Sequence, residues 1–374
     1  MLTGEIPFDS NFLSQLGTLW GNGLMFLVAF LFIYLAIAKG FEPLLLIPIA
    51  VGIILANVPF GGLSEDDGFL HFLNDVGLKT GLFPLLMFLG VGALTDFTAL
   101  IQRPMTALLG AAAQIGIFGT LVAAVLMGFS LTDAGAISII GGADGPTAIY
   151  ISTELARAEL LGPIAVSAYS YMAMVPLIQP PIMRLLTTNK ERSVVMAYTD
   201  KTVSLPMRIV FPMTIIVLTA LVAPKAIPLL GMLAFGNLLR ESGVVERLSN
   251  TAQNELINIV TILLGLTVGG TMTAESFLDL DTMKIFFLGL AAFSFATAGG
   301  VVFGKVMYYV TRGAINPLIG AAGVSAVPMS ARVVHRVGQE SNPNNYLIMH
   351  AMGPNVAGVL GSAIAAGVLL SFLA

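Results

Sequence analysis

The stretch Ser138-Ile139-Ile140-Gly141-Gly142-Ala143-Asp144-Gly145-Pro146-Thr147-Ala148-Ile149-Tyr150 sets a carboxylate inside a long apolar run and denies that run a continuous helix. A charge at bilayer depth costs roughly 3 kcal/mol or more unless it is paired or hydrated. Irregular backbone at that depth is tolerated only where protein buries it or where it lines a cavity. The glycines permit positive φ and the proline lacks an N–H, so the break is written into the residues themselves. A carboxylate beside freed carbonyls is a site for a hard cation such as Na⁺. The alternative for Asp144 is a helix kink with a paired structural aspartate.

Of the 374 residues, 56% are hydrophobic and 10% charged, and the mean hydropathy is +0.91. A soluble domain carries about 25% charged residues. The chain therefore reads as an all-α polytopic membrane protein. It has no cysteine, which excludes disulfides, thiol catalysis and Cys-based metal sites. Its histidines, His71, His335 and His350, are far apart in sequence and make no ligand pattern. There is no Gly-rich phosphate loop and no basic stripe, so no nucleic-acid partner is expected. Residues 1–22 read as an interfacial N-terminal helix with Trp20 at headgroup level.

Apolar segments run over 23–39, 43–58, 81–98, 105–128, a broken 133–156, and 161–186. A polar linker, 187–206, follows. The segments resume at 207–223, 226–240, 256–273, 283–310, a broken 314–336, and 345–373. The two stretches 23–186 and 207–374 resemble each other. Leu89-Gly90-Val91-Gly92 matches Leu266-Thr267-Val268-Gly269 at an offset of 177. Ile140-Gly141-Gly142-Ala143 matches Ile319-Gly320-Ala321-Ala322 at 179, and Ala173-Met174-Val175-Pro176 matches Ala351-Met352-Gly353-Pro354 at 178. Three matches in order at nearly one offset predict an internal repeat. Loop 59–80 is acidic, as is 274–282. Basic residues gather at Arg103, from Arg184 to Arg208, at Arg240 and Arg247, and at Arg312, Arg332 and Arg336. The positive-inside rule puts the basic group in the cytoplasm, provided that the two broken segments are re-entrant. Each repeat then makes about five crossings plus one broken segment. The second is inverted relative to the first, an elevator-transporter-like plan.

The second broken segment, Asn316 to Arg332, repeats the physics of the first, with glycines and prolines bracketing Asn316, Ser325 and Ser330. Asn355 lies in Met352-Gly353-Pro354-Asn355 within the last span, and Tyr169-Ser170-Tyr171 is followed by Gln179-Pro180-Pro181. One aspartate with Asn, Ser, Thr and carbonyl oxygens suits Na⁺ better than a divalent metal. Interhelical hydrogen bonding is the other reading of these neutral residues. Arg332 offers a planar fork suited to a carboxylate, or a cytoplasmic anchor.

Gly141 to Thr147, Asn316 to Arg332, and Gly353-Pro354-Asn355-Val356-Ala357-Gly358 resemble signature segments of the β-subunits of sodium-pumping biotin-dependent decarboxylases. That family acts in oxaloacetate, methylmalonyl-CoA and glutaconyl-CoA decarboxylases, and the resemblance covers essentially the whole chain. It implies decarboxylation of carboxybiotin coupled to outward Na⁺ movement, with a proton consumed. It implies that Asp144 is the Na⁺/H⁺ aspartate, with Ser325, Asn355, Asn316 and Thr147 as further sodium ligands. Arg332, Asn316 and Gly320 would face carboxybiotin. A functional tyrosine is implied at Tyr171 in preference to Tyr169. The implied partners are a carboxyltransferase α-subunit, a biotin carrier protein and a small γ/δ membrane subunit. A homotrimer in the cytoplasmic membrane of a prokaryote is also implied. A Na⁺-coupled secondary transporter of a small organic anion fits the composition, repeat and broken helices equally well; a Na⁺/H⁺ antiporter would leave Arg332 without a role.

The sidedness is open to measurement on this cysteine-free background. A cysteine at Asp67 should react with an impermeant maleimide added outside, and one at Arg192 should not. Labelling of both from one face would overturn the inverted arrangement.

Overall fold

The computed structural model describes residues 19–197, 202–274, 277 and 279–374. Among them every regular element is helical and there is no strand. The long helices are α1 (Leu19–Lys39), α2 (Pro43–Ala56), α3 (Leu82–Leu94), α4 (Ala107–Ala113), α5 (Ile115–Leu126), α6 (Leu131–Ser138), α7 (Gly145–Leu155), α8 (Ala158–Ala173) and α9 (Val175–Leu186). After the linker come α10 (Leu205–Val222), α11 (Ile227–Glu241), α12 (Ile257–Gly270), α13 (Leu280–Val310), α14 (Met329–Ser341) and α15 (Ile348–Leu373). Among the described residues six helical stretches can cross a membrane by length and composition, or eight if two bent pairs each count as one span.

Most expected spans coincide with helices, and the departures follow from Pro and Gly. Segment 161–186 is two helices, α8 and α9, meeting at 64°. Pro176 lacks the N–H that would continue α8 and instead occupies the first turn of α9. Within the acidic loop 59–80, Phe69–Leu78 is helical and meets α3 at 61° across Gly81, whose φ is +71°. Of the expected interfacial helix 1–22, residues 1–18 lie outside the described residues, and Trp20 stands exposed in the first turn of α1. The linker 187–206 holds one helical turn, Asn189–Arg192, and residues 198–201 of it lie outside the described residues.

Helix order recurs. A π turn at Asn74–Leu78 precedes α3, and another at Ala252–Leu256 leads into α12. Each of these helices crosses a partner from the other half of the chain: α2 lies on α12, and α11 lies on α3. At both crossings backbones touch. A Cβ on Gly52 or Gly269 would strike the carbonyl of Leu266 or Ile49; one on Gly92 or Gly236 would strike that of Leu233 or Leu89. Small residues bring helices together where lipid leaves no hydrophobic force to do it.

Hydrogen bonds fasten both broken segments. In the first, Asp133 near its start accepts from the backbone N–H of Arg157, just after its end, at 3.0 Å, and from the Arg157 guanidinium at 2.9 Å. In the second, Asn316 at the start and Asn345 beyond the end both donate to the Arg192 carbonyl, at 2.9 and 2.8 Å. The ends of the first segment therefore lie close together, as do the start of the second and the residues just beyond its end. Between their tips, the Ser325 N–H donates to the Gly142 carbonyl at 3.0 Å.

Gly269→Val is expected to destabilise the protein by roughly 1–3 kcal/mol, because the branched side chain meets backbone on the facing helix. Gly119→Val, where a Cβ meets open space, should leave thermal unfolding in detergent unchanged.

Candidate functional site

The first break is made by a short 3₁₀ turn, Ile139–Gly142, followed by Ala143 in the left-handed region with φ +55°. The next residue, Asp144, is the N-cap of α7. Its Oδ1 accepts from the Thr147 N–H at 3.1 Å, which supplies one of the donors that a helix start leaves free. Its Oδ2 accepts from the Ser362 hydroxyl at 2.7 Å, and Ser362 accepts from the Ser325 hydroxyl at 2.9 Å. A chain of hydroxyls thus runs from the second broken segment, through α15, to the carboxylate. All four side chains are buried. Positive dipole ends and hydroxyl groups replace the water that the carboxylate lost.

Asp144 and Ser325 line a cavity of about 300 Å³, together with Tyr169, Met172, Glu42 and Met329. The ring of Tyr169 packs on Gly145, and its hydroxyl has no hydrogen-bond partner. Tyr171, two residues on, points elsewhere: its hydroxyl donates to the carbonyl of Phe286 on α13. Helical spacing separates the two tyrosines, so only Tyr169 shares the cavity wall with Asp144.

Of the other expected residues, Thr147 is at the site, its hydroxyl buried without a partner. Asn355 is one level away. Seven residues before Ser362, it lies on the same face of α15 at a rise of about 10 Å. Its amide donates to the carbonyls of Ala322 and Val324 at 3.0 and 2.7 Å, leaving a buried Oδ1 unpartnered. Asn316 is not brought to Asp144. It donates to the carbonyls of Arg192 and Val194, and its oxygen accepts from Leu318 N–H. Gly320 is a packing position, its backbone pressed against Gly300 of α13. Ser330 donates to Gln179 and to the Ala321 carbonyl, fixing the second tip from α9. Arg332 is exposed on α14 and lines a second cavity of about 520 Å³ with Lys39, Arg336 and Glu42.

The sequence reading missed Ser362. Its signal was the seven-residue spacing from Asn355, which puts both on one stripe of the last span. Among the described residues no cluster of three His, Cys, Asp or Glu side chains forms a metal site. One carboxylate, serine and threonine hydroxyls, and orphaned acceptors on Thr147 and Asn355 suit a monovalent hard cation better than a divalent one.

Residues 21–373 match the family described as the Na⁺-transporting oxaloacetate decarboxylase beta subunit. The chain is 56% identical over 354 residues to the glutaconyl-CoA decarboxylase subunit beta of Acidaminococcus fermentans, covering 95% of this chain and 94% of the relative. It is 57% identical to the methylmalonyl-CoA decarboxylase subunit beta of Veillonella parvula, over 94% and 93% of the two chains. It is 50% identical to the oxaloacetate decarboxylase beta chain of Klebsiella pneumoniae, over 94% and 95%.

Ser362→Ala removes the donor to Asp144 and the acceptor for Ser325. The Na⁺ concentration giving half-maximal protection against thermal unfolding should rise about ten-fold, as for loss of one bond to a charged group. Ser371→Ala, whose hydroxyl serves only the Gly367 carbonyl on the same helix, should leave that concentration unchanged.

Proposed function

The chain belongs to the family of Na⁺-transporting decarboxylase beta subunits, and from that premise we propose that it decarboxylates carboxybiotin delivered by partner subunits and uses the reaction to export Na⁺. The observation that carries this reading is the buried carboxylate of Asp144, held where two broken segments meet and, unlike the buried Asp133, Glu191 and Glu241, in no ion pair among the described residues; its cavity shares Glu42 and Met329 with the cavity of Arg332. Ionised, Asp144 binds Na⁺; protonated, it releases it, so one group exchanges the two ions. Ser325, Ser362 and Thr147 complete a neutral oxygen shell, and Asn355 organises the carbonyls of the second tip. Arg332 holds the incoming carboxylate by two parallel N–H bonds. Carboxybiotin supplies a C–N bond whose cleavage releases CO₂ and leaves the electron pair on nitrogen, which takes up the proton. Tyr169 is the tyrosine for which the cavity argues, whereas Tyr171 would act through α13.

The same reading extends to architecture. We take residues 23–186 and 207–374 as inverted repeats joined by a cytoplasmic linker, moving as a core against a scaffold in the cytoplasmic membrane of a prokaryote. Support comes from the joined ends of both broken segments and from the paired glycine crossings. The partners are a carboxyltransferase α-subunit, a biotin carrier protein and a small γ/δ membrane subunit, assembled around a trimer of this chain.

In the purified complex, Na⁺ should accelerate decarboxylation of free carboxybiotin. Asp144→Asn should abolish Na⁺ transport and the Na⁺ dependence of decarboxylation, since an amide cannot alternate between H⁺ and Na⁺. Arg332→Lys should lower carboxybiotin turnover while leaving Na⁺-dependent thermal protection measurable. If the unaltered complex gives no Na⁺-stimulated decarboxylation, the enzymatic reading fails and Na⁺-coupled transport of an organic anion takes its place.

A further inference from the structure

The Asp144 cavity and the cavity of Arg332 have two residues in common, Glu42 and Met329. The second cavity is basic, with Lys39, Arg332 and Arg336 in its wall, so it favours anions and repels Na⁺. A cation bound for Asp144 from that side must pass three positive side chains, and Glu42 is the one carboxylate in that cavity's described wall. Glu42 stands in the wall that the two cavities share.

Its backbone is unusual for the position. Glu42 has φ +34° and ψ +63°, in the left-handed region that a glutamate seldom adopts, and it precedes Pro43, which normally drives its neighbour toward extended backbone. Strain of this kind persists where the surroundings demand a particular side-chain direction. Glu42 is also the N-cap of α2, yet its carboxylate accepts no hydrogen bond from the helix start. The residue lines both cavities instead. Burial pushes its carboxyl above the ordinary glutamate value, and the Arg332 guanidinium pulls it back down. A carboxylate so placed gains from a cation beside it.

We propose that Glu42 is the cation-selecting residue of the passage between the basic cavity and Asp144. Its charge draws Na⁺ past Lys39, Arg332 and Arg336 and keeps an anion docked at Arg332 from going further. The inference rests on the reading of Asp144 as the sodium site.

The test uses the intact decarboxylase complex in proteoliposomes, titrated with NaCl at several concentrations of choline chloride. Glu42→Gln keeps the volume and removes the charge. It should raise the Na⁺ concentration for half-maximal activity about five- to ten-fold at low ionic strength. The difference from the unaltered protein should shrink as choline chloride approaches 0.5 M, because added salt shortens the Debye length to roughly 4 Å. Glu42→Asp, which restores a carboxylate and tolerates left-handed backbone better, should recover most of the loss. An unchanged half-maximal Na⁺ concentration in Glu42→Gln overturns the proposal. So does a loss that choline chloride leaves untouched, which would mark a packing role. If the unaltered complex itself shows no Na⁺ dependence, the sodium site at Asp144 is what has failed.

Discussion

The hydrogen bond from the Ser325 N–H to the Gly142 carbonyl joins two pieces of backbone that no regular helix could bring together. Each piece has given up its helical ladder to reach that point. Inside a bilayer such groups cannot turn to water, so each break must satisfy the other. The rest of the core serves that meeting: α15 passes beside it carrying Asn355 and Ser362, α13 backs it with glycine against glycine, and Gln179 holds the second tip from α9. The carboxylate of Asp144 can be buried because the donors around it were fixed by backbone contacts first.

The carboxylate of Asp144 is buried among neutral oxygens and takes part in no ion pair among the described residues. An aspartate paired with arginine would be locked ionised and could not exchange a proton. Here Lys39, Arg332 and Arg336 line a second cavity, which shares Glu42 and Met329 with the one at Asp144. In the proposed function, anion docking and cation binding occupy adjoining but electrostatically opposite cavities.

Much of this was legible in the sequence, because Gly, Pro and a lone Asp within an apolar run have few foldable outcomes in lipid. The break at Asp144 and the second break from Asn316 followed from residue type alone, and Ser325, expected there as a neutral oxygen, lies in the hydroxyl chain that reaches Asp144. Helix periodicity could not say which way a tyrosine faces, since Tyr169 and Tyr171 stand on different sides of one helix whose whole circumference is apolar. Nor could it separate Asn316 from Asn355. Both are amides beside a proline, but one is spent on the linker backbone and the other on the second tip. Ser362 was overlooked because a serine among alanines and glycines looks like packing until the segment opposite it is known.

Helix α13 adds a mechanical constraint. At one end Asp281 joins the ion pair of Asp133 and Arg157 that closes the first broken segment. At the other, Lys305 meets Glu191 and the carbonyl of Leu186 beside the linker that closes the second. Twenty-four residues of unbroken helix hold those two anchorages about 36 Å apart. A helix is stiff along its axis, so α13 acts as a push-rod: the fastening on one face of the molecule cannot travel along that axis without carrying the fastening on the other.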